Sequence, residues 1–249
     1  MPTPTTMSEI ARRLDDASLD AFELVRTAVT RAPASRGVFV SFIEGALEQA
    51  REAARRRSRG APLSRLDGIP FAVKDMIDVA GSRTSAGSLT RIDAPPASRD
   101  AAVIAAMRAA GMIPIGKTNL SEFAFSGLGL NPHYGNVKNS FDRATGRVPG
   151  GSSSGAAISV TDGMAAMGLG TDTAGSVRLP AAVNGLAGFK PTVGRIPTDG
   201  VFPLSSTLDT VGPLARSVEC CALTDAVWAG ERVVAAEPIP LEGLRFAVP

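Results

Sequence analysis

The stretch Gly170-Thr171-Asp172-Thr173-Ala174-Gly175-Ser176 decides our interpretation of this chain. It follows an apolar run, residues 164–170, that predicts a buried strand, and it leads into a short predicted helix. Upstream, residues 154–162 predict a helix that Gly163 ends. A helix, a buried strand, a tight turn and a second helix in this order are typical of an α/β sheet with helices packed on it.

The same alternation occurs earlier in the chain. Residues 69–73 form a short apolar run that predicts a strand, and Pro70 predicts that this strand starts near a sheet edge. Residues 100–110 predict a helix, and residues 112–115 predict the strand that follows it. The alternation therefore extends over the whole central part of the chain.

The two ends of the chain have a different character. Ser8 and Ser18 are the expected caps of two helices. Three N-terminal helices are predicted, at residues 8–14, 19–28 and 42–57. We assign residues 1–60 to a helical segment that packs on a catalytic core, residues 61–249. Residues 244–248 predict the beginning of another strand, so we expect a core whose later part is missing at the C-terminus.

The composition argues against several classes of protein. With 26 basic and 24 acidic residues, the net charge of +2 gives no electrostatic case for binding nucleic acid or a membrane surface. The most apolar stretches are too short to span a bilayer. The two cysteines, Cys220 and Cys221, are neighbours and poorly placed to form a disulfide with each other. We therefore expect a cytoplasmic protein with reduced thiols.

Histidine and metal chemistry find little support in the sequence. The one histidine, His133, lies in a Pro- and Gly-flanked segment that predicts a loop, where a surface or pocket-lining role is the simpler expectation. His and Cys clusters with metal-ligand spacing do not occur, and neither do the glycine-rich nucleotide motifs. We expect no metal and no cofactor.

Two Ser/Gly-rich segments carry the candidate chemistry. Pro149-Gly150-Gly151-Ser152-Ser153-Ser154-Gly155 precedes one predicted helix, and the opening stretch precedes another. Small residues allow tight turns that point backbone N–H groups into one cavity. A flexible linker and a phosphate-binding nest are the alternatives. The linker is disfavoured because the second segment lies between a predicted strand and a predicted helix.

A serine nucleophile without histidine needs another base, and lysine is the usual substitute. Burial lowers the pKa of a lysine by up to about 3–5 units, which makes it a base near neutral pH. Lys74 ends the apolar run and is the candidate, while Asp75 is expected to point to the opposite face. The alternative is an ordinary strand-end lysine that reaches water.

These segments resemble the amidase signature family. The resemblance is carried by Gly68-Ile69-Pro70-Phe71-Ala72-Val73-Lys74-Asp75, by residues 149–155, and by residues 170–178 followed by Pro180-Ala181. Three further blocks also match: Gly116-Lys117-Thr118-Asn119, Gly188-Phe189-Lys190-Pro191-Thr192 and Leu208-Asp209-Thr210-Val211-Gly212-Pro213. The resemblance implies an α/β fold whose mixed sheet is flanked by helices on both faces.

The resemblance also implies a Ser-Ser-Lys triad. Ser176 matches the nucleophile, Ser152 the bridging serine and Lys74 the base. The backbone N–H groups expected to form an oxyanion hole are those of Thr173, Ala174, Gly175 and Ser176. Supporting roles are expected for Ser153, Asp172 and Arg178. Ser154 and Ala174 stand where glycine is most frequent in the family.

The implied activity is hydrolysis of a carboxamide C–N bond through an acyl-enzyme. One alternative is the glutaminase subunit of a tRNA-dependent amidotransferase, and another is a catalytically incompetent fragment that acts as a binding or structural module. The expected partner is a small amide, with a second copy of the chain or amidotransferase subunits beside it. Apolar residues in the segment 121–134 are expected to form either one wall of the substrate pocket or part of the core.

Overall fold

The computed structural model describes residues 6–32, 37–232, 240 and 242–245. In chain order the strands are β1 (Phe39–Phe42), β2 (Pro70–Lys74), β3 (Ile113–Thr118), β4 (Met167–Asp172), β5 (Ala187–Gly188) and β6 (Thr210–Ala215). The helices are α1 (Met7–Asp15), α2 (Ala21–Arg31), α3 (Ala46–Ser58), α4 (Ala102–Ala109), α5 (Ser154–Thr161), α6 (Arg178–Val183) and α7 (Val218–Ala229). Short 3₁₀ turns occur at Leu89–Arg91 and Glu122–Ala124.

The six strands form one mixed sheet in the order β1-β3-β2-β4-β6-β5. Strand β2 is parallel to both β3 and β4, and the remaining pairs are antiparallel. This arrangement confirms the mixed α/β sheet that the resemblance implied. The expectation that β2 starts near a sheet edge is wrong. Pro70 is tolerated in this central strand because it is the first residue, where a missing N–H interrupts the ladder least.

Helices cover both faces of the sheet. On one face, Phe71, Leu169 and other strand residues join a large apolar core that also receives residues from α1, α2, α3, α4 and α7. On the other face α5 lies close against β4, because Gly168 and Gly170 have no side chains there. A Cβ atom at Gly168 would lie 2.6 Å from the Ala156 carbonyl oxygen. We call Gly168 and Gly170 the glycine floor of the sheet.

Strand β4 lies later in the sequence than the apolar run predicts. The backbone N–H groups of Met164 and Ala165 both donate to the Ser159 carbonyl, so these residues complete the exit from α5. The ladder with β6 then continues through the polar residues Thr171 and Asp172. Hydrophobicity predicted the existence of this strand but placed its start too early.

The N-terminal helices also differ in detail from the prediction. Strand β1 was not predicted, and the third helix begins at Ala46 rather than residue 42, because residues 39–42 pair with β3. Thr6 and Asp20 cap α1 and α2 through hydrogen bonds to the backbone N–H groups three residues later, so the caps expected at Ser8 and Ser18 are wrong.

Residues from α1, α2 and α3 share the apolar core with the sheet. The division of the chain after residue 60 stays a prediction. The strand predicted at residues 244–248 falls mostly outside the described residues, and the expectation of a missing later part also stays a prediction. No helix in the described part of the chain has the length and apolar character that crossing a membrane requires.

Candidate active site

Lys74 ends the central strand β2, and its side chain is fully buried. Its Nζ atom lies 2.7 Å from Ser152 Oγ and 2.7 Å from Thr171 Oγ1. The alternative of a strand-end lysine that reaches water is therefore not what the structure has. Both close partners are neutral hydroxyl groups rather than carboxylates.

Burial lowers the pKa of Lys74 to about 7. The negative charges of Asp172 and Asp209 act in the opposite direction, and burial outweighs them. Neither carboxylate hydrogen-bonds to the amine, so the protonated form has no direct counter-ion. Near neutral pH a substantial fraction of Lys74 is uncharged and able to accept a proton.

Ser152 lies in the loop that leads into α5. The peptide bond between Gly151 and Ser152 is cis. Backbone hydrogen bonds fix this loop: Gly151 N donates to the Gly127 carbonyl at 2.7 Å, and Ser121 N donates to the Ser152 carbonyl at 3.2 Å. Ser152 is fully buried, so its hydroxyl faces the Lys74 amine without competition from bulk water.

The turn between β4 and α6 is organised around Asp172. The buried Asp172 carboxylate accepts hydrogen bonds from the backbone N–H groups of Gly175 at 2.6 Å, Val177 at 3.2 Å and Arg178 at 3.3 Å. The Arg178 guanidinium adds two bonds of 3.0 Å. Burial alone would raise the pKa of the Asp172 carboxyl, but the bonds from Arg178 and these N–H groups hold it below its ordinary value. The charged carboxylate thus fixes the turn that carries Ser176.

The N–H groups of this turn are not all free. Gly175 has a φ of 125°, which favours glycine, and its N–H is taken by Asp172. The N–H groups of Thr173, Ala174 and Ser176 donate to no other described residue. Ala174 is outside the left-handed region, so alanine replaces the family's usual glycine without backbone strain. The oxyanion hole of four donors stays a prediction, and three of those donors are available here.

The Ser176 side chain is partly exposed beside the relay. The Ser153 N–H donates to the Ser176 carbonyl at 3.2 Å, which ties the two Ser/Gly-rich segments together. Among the described residues, the Ser176 hydroxyl has no hydrogen-bond partner. The structure therefore contains the Lys74–Ser152 contact as a hydrogen bond and brings Ser176 next to it through the backbone.

Ser153 and Thr171 bring two further hydroxyl groups to this region, and that of Thr171 contacts the amine. Ser153 was expected to support the relay directly, but its hydroxyl donates to the Thr171 carbonyl at 3.4 Å. Thr171, whose hydroxyl contacts Lys74, was not singled out from the sequence. The sequence does contain one sign of this role, because Thr171 is the first polar residue after the apolar part of β4.

The segment 121–134 borders the turn. Leu179 lies next to the Ser176 turn and close to Gly127. A Cβ atom added at Gly127 would be 3.3 Å from Leu179 Cδ1. Phe125 is 84% exposed, and Leu128 and Leu130 are also exposed. Phe123 instead packs against Phe202, with ring centroids 5.8 Å apart. Most of these apolar side chains are thus on the surface rather than in the core.

His133 and the cysteines lie outside this arrangement. His133 Nε2 lies 3.2 Å from Glu122 Oε1 on the partly exposed loop. Cys220 and Cys221 are free, buried thiols of α7. In the part of the chain that the structure describes, no group of three or more His, Cys, Asp or Glu residues is arranged to hold a metal ion.

Comparison with known proteins agrees with the resemblance. The family model described as Amidase matches residues 23–240. A glutamyl-tRNA(Gln) amidotransferase subunit of Cupriavidus necator is 42% identical over 233 residues, covering 91% of this chain and 45% of that protein. A crystal structure of an amidase is 36% identical with a TM-score of 0.83, covering 96% of this chain and 54% of that one. Native peptide amidase from Stenotrophomonas maltophilia is 34% identical with a TM-score of 0.80, covering 95% and 49%.

The chain spans about half the length of the relatives it matches. The matched region nevertheless includes every element that carries the candidate site, from β2 to α6. With the family model matching most of its residues, this chain belongs to the amidase signature family.

Proposed function

We propose that this chain carries the catalytic part of an amidase that hydrolyses a carboxamide C–N bond through a Ser152–Ser176–Lys74 triad. One observation carries the proposal: a fully buried lysine with a pKa of about 7 lies 2.7 Å from the hydroxyl of a buried serine. A lysine so placed has little structural use as a cation, and it is suited to accept a proton at neutral pH.

In the proposed first step, Ser176 Oγ attacks the carbonyl carbon of the amide. The Ser176 proton passes to Ser152 Oγ, whose own proton passes to neutral Lys74. The carbonyl π electrons move onto the oxygen, giving a tetrahedral intermediate with one negative charge. The relay requires the Ser176 side chain to turn toward Ser152 when the substrate binds.

The negative oxygen is proposed to accept from the N–H groups of Thr173, Ala174 and Ser176. Gly175 contributes through its backbone shape, since its N–H already donates to Asp172. One preorganised donor of this kind commonly contributes about 3–4 kcal/mol to transition-state stabilisation. The Asp172–Arg178 pair supports this by fixing the turn before any substrate arrives.

The intermediate collapses when the proton returns from Lys74 through Ser152 to the leaving nitrogen. The C–N bond breaks, ammonia or an amine departs, and the acyl group stays on Ser176 Oγ. Water then attacks the ester by the same relay and releases a carboxylic acid. No cofactor takes part in these steps.

The exposed side chains of Phe125, Leu128 and Leu130 support an apolar pocket wall rather than core packing. We propose that the small-molecule substrate presents an apolar group to this wall. The buried free cysteines agree with a reducing compartment, and we propose the cytoplasm.

The nucleophile is tested with a fluorophosphonate probe, which labels activated serines. Ser176→Ala is expected to abolish labelling, because it removes the attacking oxygen and leaves the fold intact. Ser58→Ala, which removes an exposed hydroxyl at the end of α3, should label like the unmodified protein. Labelling that persists at another residue of the Ser176→Ala protein would overturn the assignment.

A second candidate is the glutaminase subunit of a tRNA-dependent amidotransferase. The similarity to a protein named as one subunit of a glutamyl-tRNA(Gln) amidotransferase favours it. In that case the protein forms a stable complex with two other subunits, and its glutaminase activity depends on them. Glutamine hydrolysis by the purified chain alone and with partner subunits separates the two functions.

A third candidate is a catalytically incompetent fragment that acts as a binding or structural module. The observation behind it is that the chain spans about half the length of its relatives. Amide turnover by the 249-residue chain, compared with turnover by a full-length relative, decides between the candidates. Labelling of Ser176 without turnover would favour the third.

A further inference from the structure

A second buried lysine lies on the face of the sheet opposite the Lys74 amine. Lys117 Nζ of β3 is 3.0 Å from Asp75 Oδ1, and it donates to Thr84 Oγ1 at 3.0 Å and to the Arg83 carbonyl at 3.2 Å. Lys117 and Asp75 are both almost completely buried. The proposed mechanism uses neither residue.

This cluster holds the residue that directly follows the proposed base. The second carboxylate oxygen of Asp75 accepts from both the N–H and the hydroxyl of Ser85. The Asp75 N–H donates to the Thr118 carbonyl at 3.1 Å, and the Asp75 carbonyl accepts from Ala86 N at 2.8 Å. Among the described residues, Asp75 Oδ1 accepts no hydrogen bond, and its close partner is the Lys117 amine of the ion pair.

The position of Asp75 limits where the Lys74 side chain can go. Asp75 directly follows β2, and its N–H continues the hydrogen bonding to β3, so fixing its side chain on one face directs Lys74 to the other. The Lys74 carbonyl also accepts from Met76 N at 2.7 Å, which turns the chain immediately after the strand. Two contacts of 2.7 Å at the Lys74 amine leave little tolerance for a shifted strand end.

We propose that Lys117 is a positioning residue for the Lys74 base, acting through its ion pair with Asp75 across the sheet. The inference deepens the proposed function and rests on it for the role of Lys74. Lys117 contacts neither the relay nor the substrate. It keeps the end of β2 anchored so that Lys74 stays dry and in contact with Ser152.

The charges around Lys74 give the direction of the expected effect. Asp172 on β4 and Asp209 before β6 face the amine from the neighbouring elements, and both favour its protonated form. Asp75, directly after β2, is paired with Lys117. Without Lys117, a loosened Lys74 reaches water more easily and Asp75 loses its counter-ion. Both changes favour protonated Lys74.

The test measures Lys74 itself. The chain contains four lysines, so ¹³Cε-lysine labelling gives few NMR signals, and the Lys74→Met spectrum assigns the one of interest. In the Lys117→Met variant of the full chain, we expect the Lys74 titration midpoint to rise by about one pH unit or more, a tenfold shift of the protonation equilibrium. Thr84→Val, a milder change, should give a smaller rise in the same direction and covers the case in which Lys117→Met does not fold.

The matched control is Arg56→Met. This substitution removes the guanidinium that binds both oxygens of the buried Asp67 carboxylate. The Arg56–Asp67 pair makes no contact with the end of β2. A purely structural role for Lys117 would lower the melting temperature, as in this control, without moving the Lys74 midpoint. A midpoint that equals the unmodified one in the folded Lys117→Met and Thr84→Val proteins overturns the inference.

The same titration tests the proposed base separately from the positioning role of Lys117. If Lys74 of the unmodified protein titrates near the ordinary value of lysine, the proposed base is refuted, whereas the positioning role is judged by the difference between variant and unmodified protein. The pH dependence of Ser176 labelling by fluorophosphonate should move upward with the Lys74 midpoint in Lys117→Met.

Discussion

Lys74 and Lys117 are both fully buried near the ends of neighbouring strands, yet their surroundings differ. Lys74 contacts two hydroxyl groups, whereas Lys117 forms an ion pair with Asp75. Burial lowers the pKa of both amines, and at Lys117 the adjacent carboxylate directly counteracts that effect. Burial alone thus does not distinguish a base from a structural cation, and the identity of the nearest partner does.

The largest expected effect comes from removing the amine of Lys74. Lys74→Met should lower kcat on the order of 10⁴-fold or more, because the relay loses its proton acceptor. The free energy of unfolding should stay the same or rise, since an apolar side chain of similar volume replaces a desolvated amine. Single-turnover amide hydrolysis and urea denaturation measure the two quantities.

Lys138→Met, which changes an exposed lysine, is the control and should keep full activity. If Lys74→Met destabilised the protein strongly while leaving activity within tenfold, the roles assigned to the two lysines would have to be exchanged.

The next largest effect is expected at Lys117, where substitution should mainly lower stability rather than kcat. Lys117→Met should lower the free energy of unfolding by about 3–5 kcal/mol, because it leaves the Asp75 carboxylate buried without its cation. Adding Asp75→Asn should recover part of that loss by removing the uncompensated charge. Urea denaturation of the single and double variants measures both. A loss within the range of surface pairs, about 0–1 kcal/mol, would contradict a fully buried pair.

A smaller effect is expected from the second hydroxyl on Lys74. Thr171→Val keeps the side-chain shape and removes the 2.7 Å contact to the amine. Hydrogen bonds to charged groups contribute about 1.5–3 kcal/mol, so kcat should fall about ten- to hundredfold while KM changes little. Thr30→Val, on the exposed side of α2, is the matched control. An unchanged kcat would show that Ser152 alone holds the base.

The smallest effect concerns the charge that faces Lys74 from a distance. Asp209→Asn keeps the shape of the side chain and removes a negative charge that raises the pKa of Lys74. The pKa should therefore fall below about 7, and the ascending limb of the pH–rate profile should move to lower pH. Asp93→Asn, at an exposed carboxylate, should leave the limb in place. A shift to higher pH would contradict the sign of this interaction.

The sequence predicted much of the fold and the main polar contact of the site. The strand–turn–helix order around Ser176 and the helix at α5 were predicted from hydrophobic runs and glycines. The family resemblance named Lys74 and Ser152, which the structure brings within hydrogen-bond distance. Strand β1 was missed because its four residues include two phenylalanines that continue the apolar pattern of the next helix.

The polar partners of the lysines were harder to predict. Thr171 belongs to the Ser/Gly-rich segment 170–176, but whether its hydroxyl faces Lys74 depends on how β2 and β4 are paired. The partners of Lys117 in this cluster lie at least 33 positions away in the sequence. No local sequence pattern therefore predicts that its amine pairs with Asp75. The capture of the Gly175 N–H by Asp172 likewise depends on the closed turn.

The glycine floor has a consequence for redesign of this protein. A methyl group at Gly170 would lie 2.8 Å from Ser153 Oγ and 2.9 Å from side-chain atoms of both Leu214 and Val177. A larger side chain at Gly170 would therefore displace Ser153 and with it the loop that carries Ser152. Laboratory evolution toward new amides should therefore leave this side of the site untouched and vary the exposed segment around Phe125, where side chains change without displacing a neighbour.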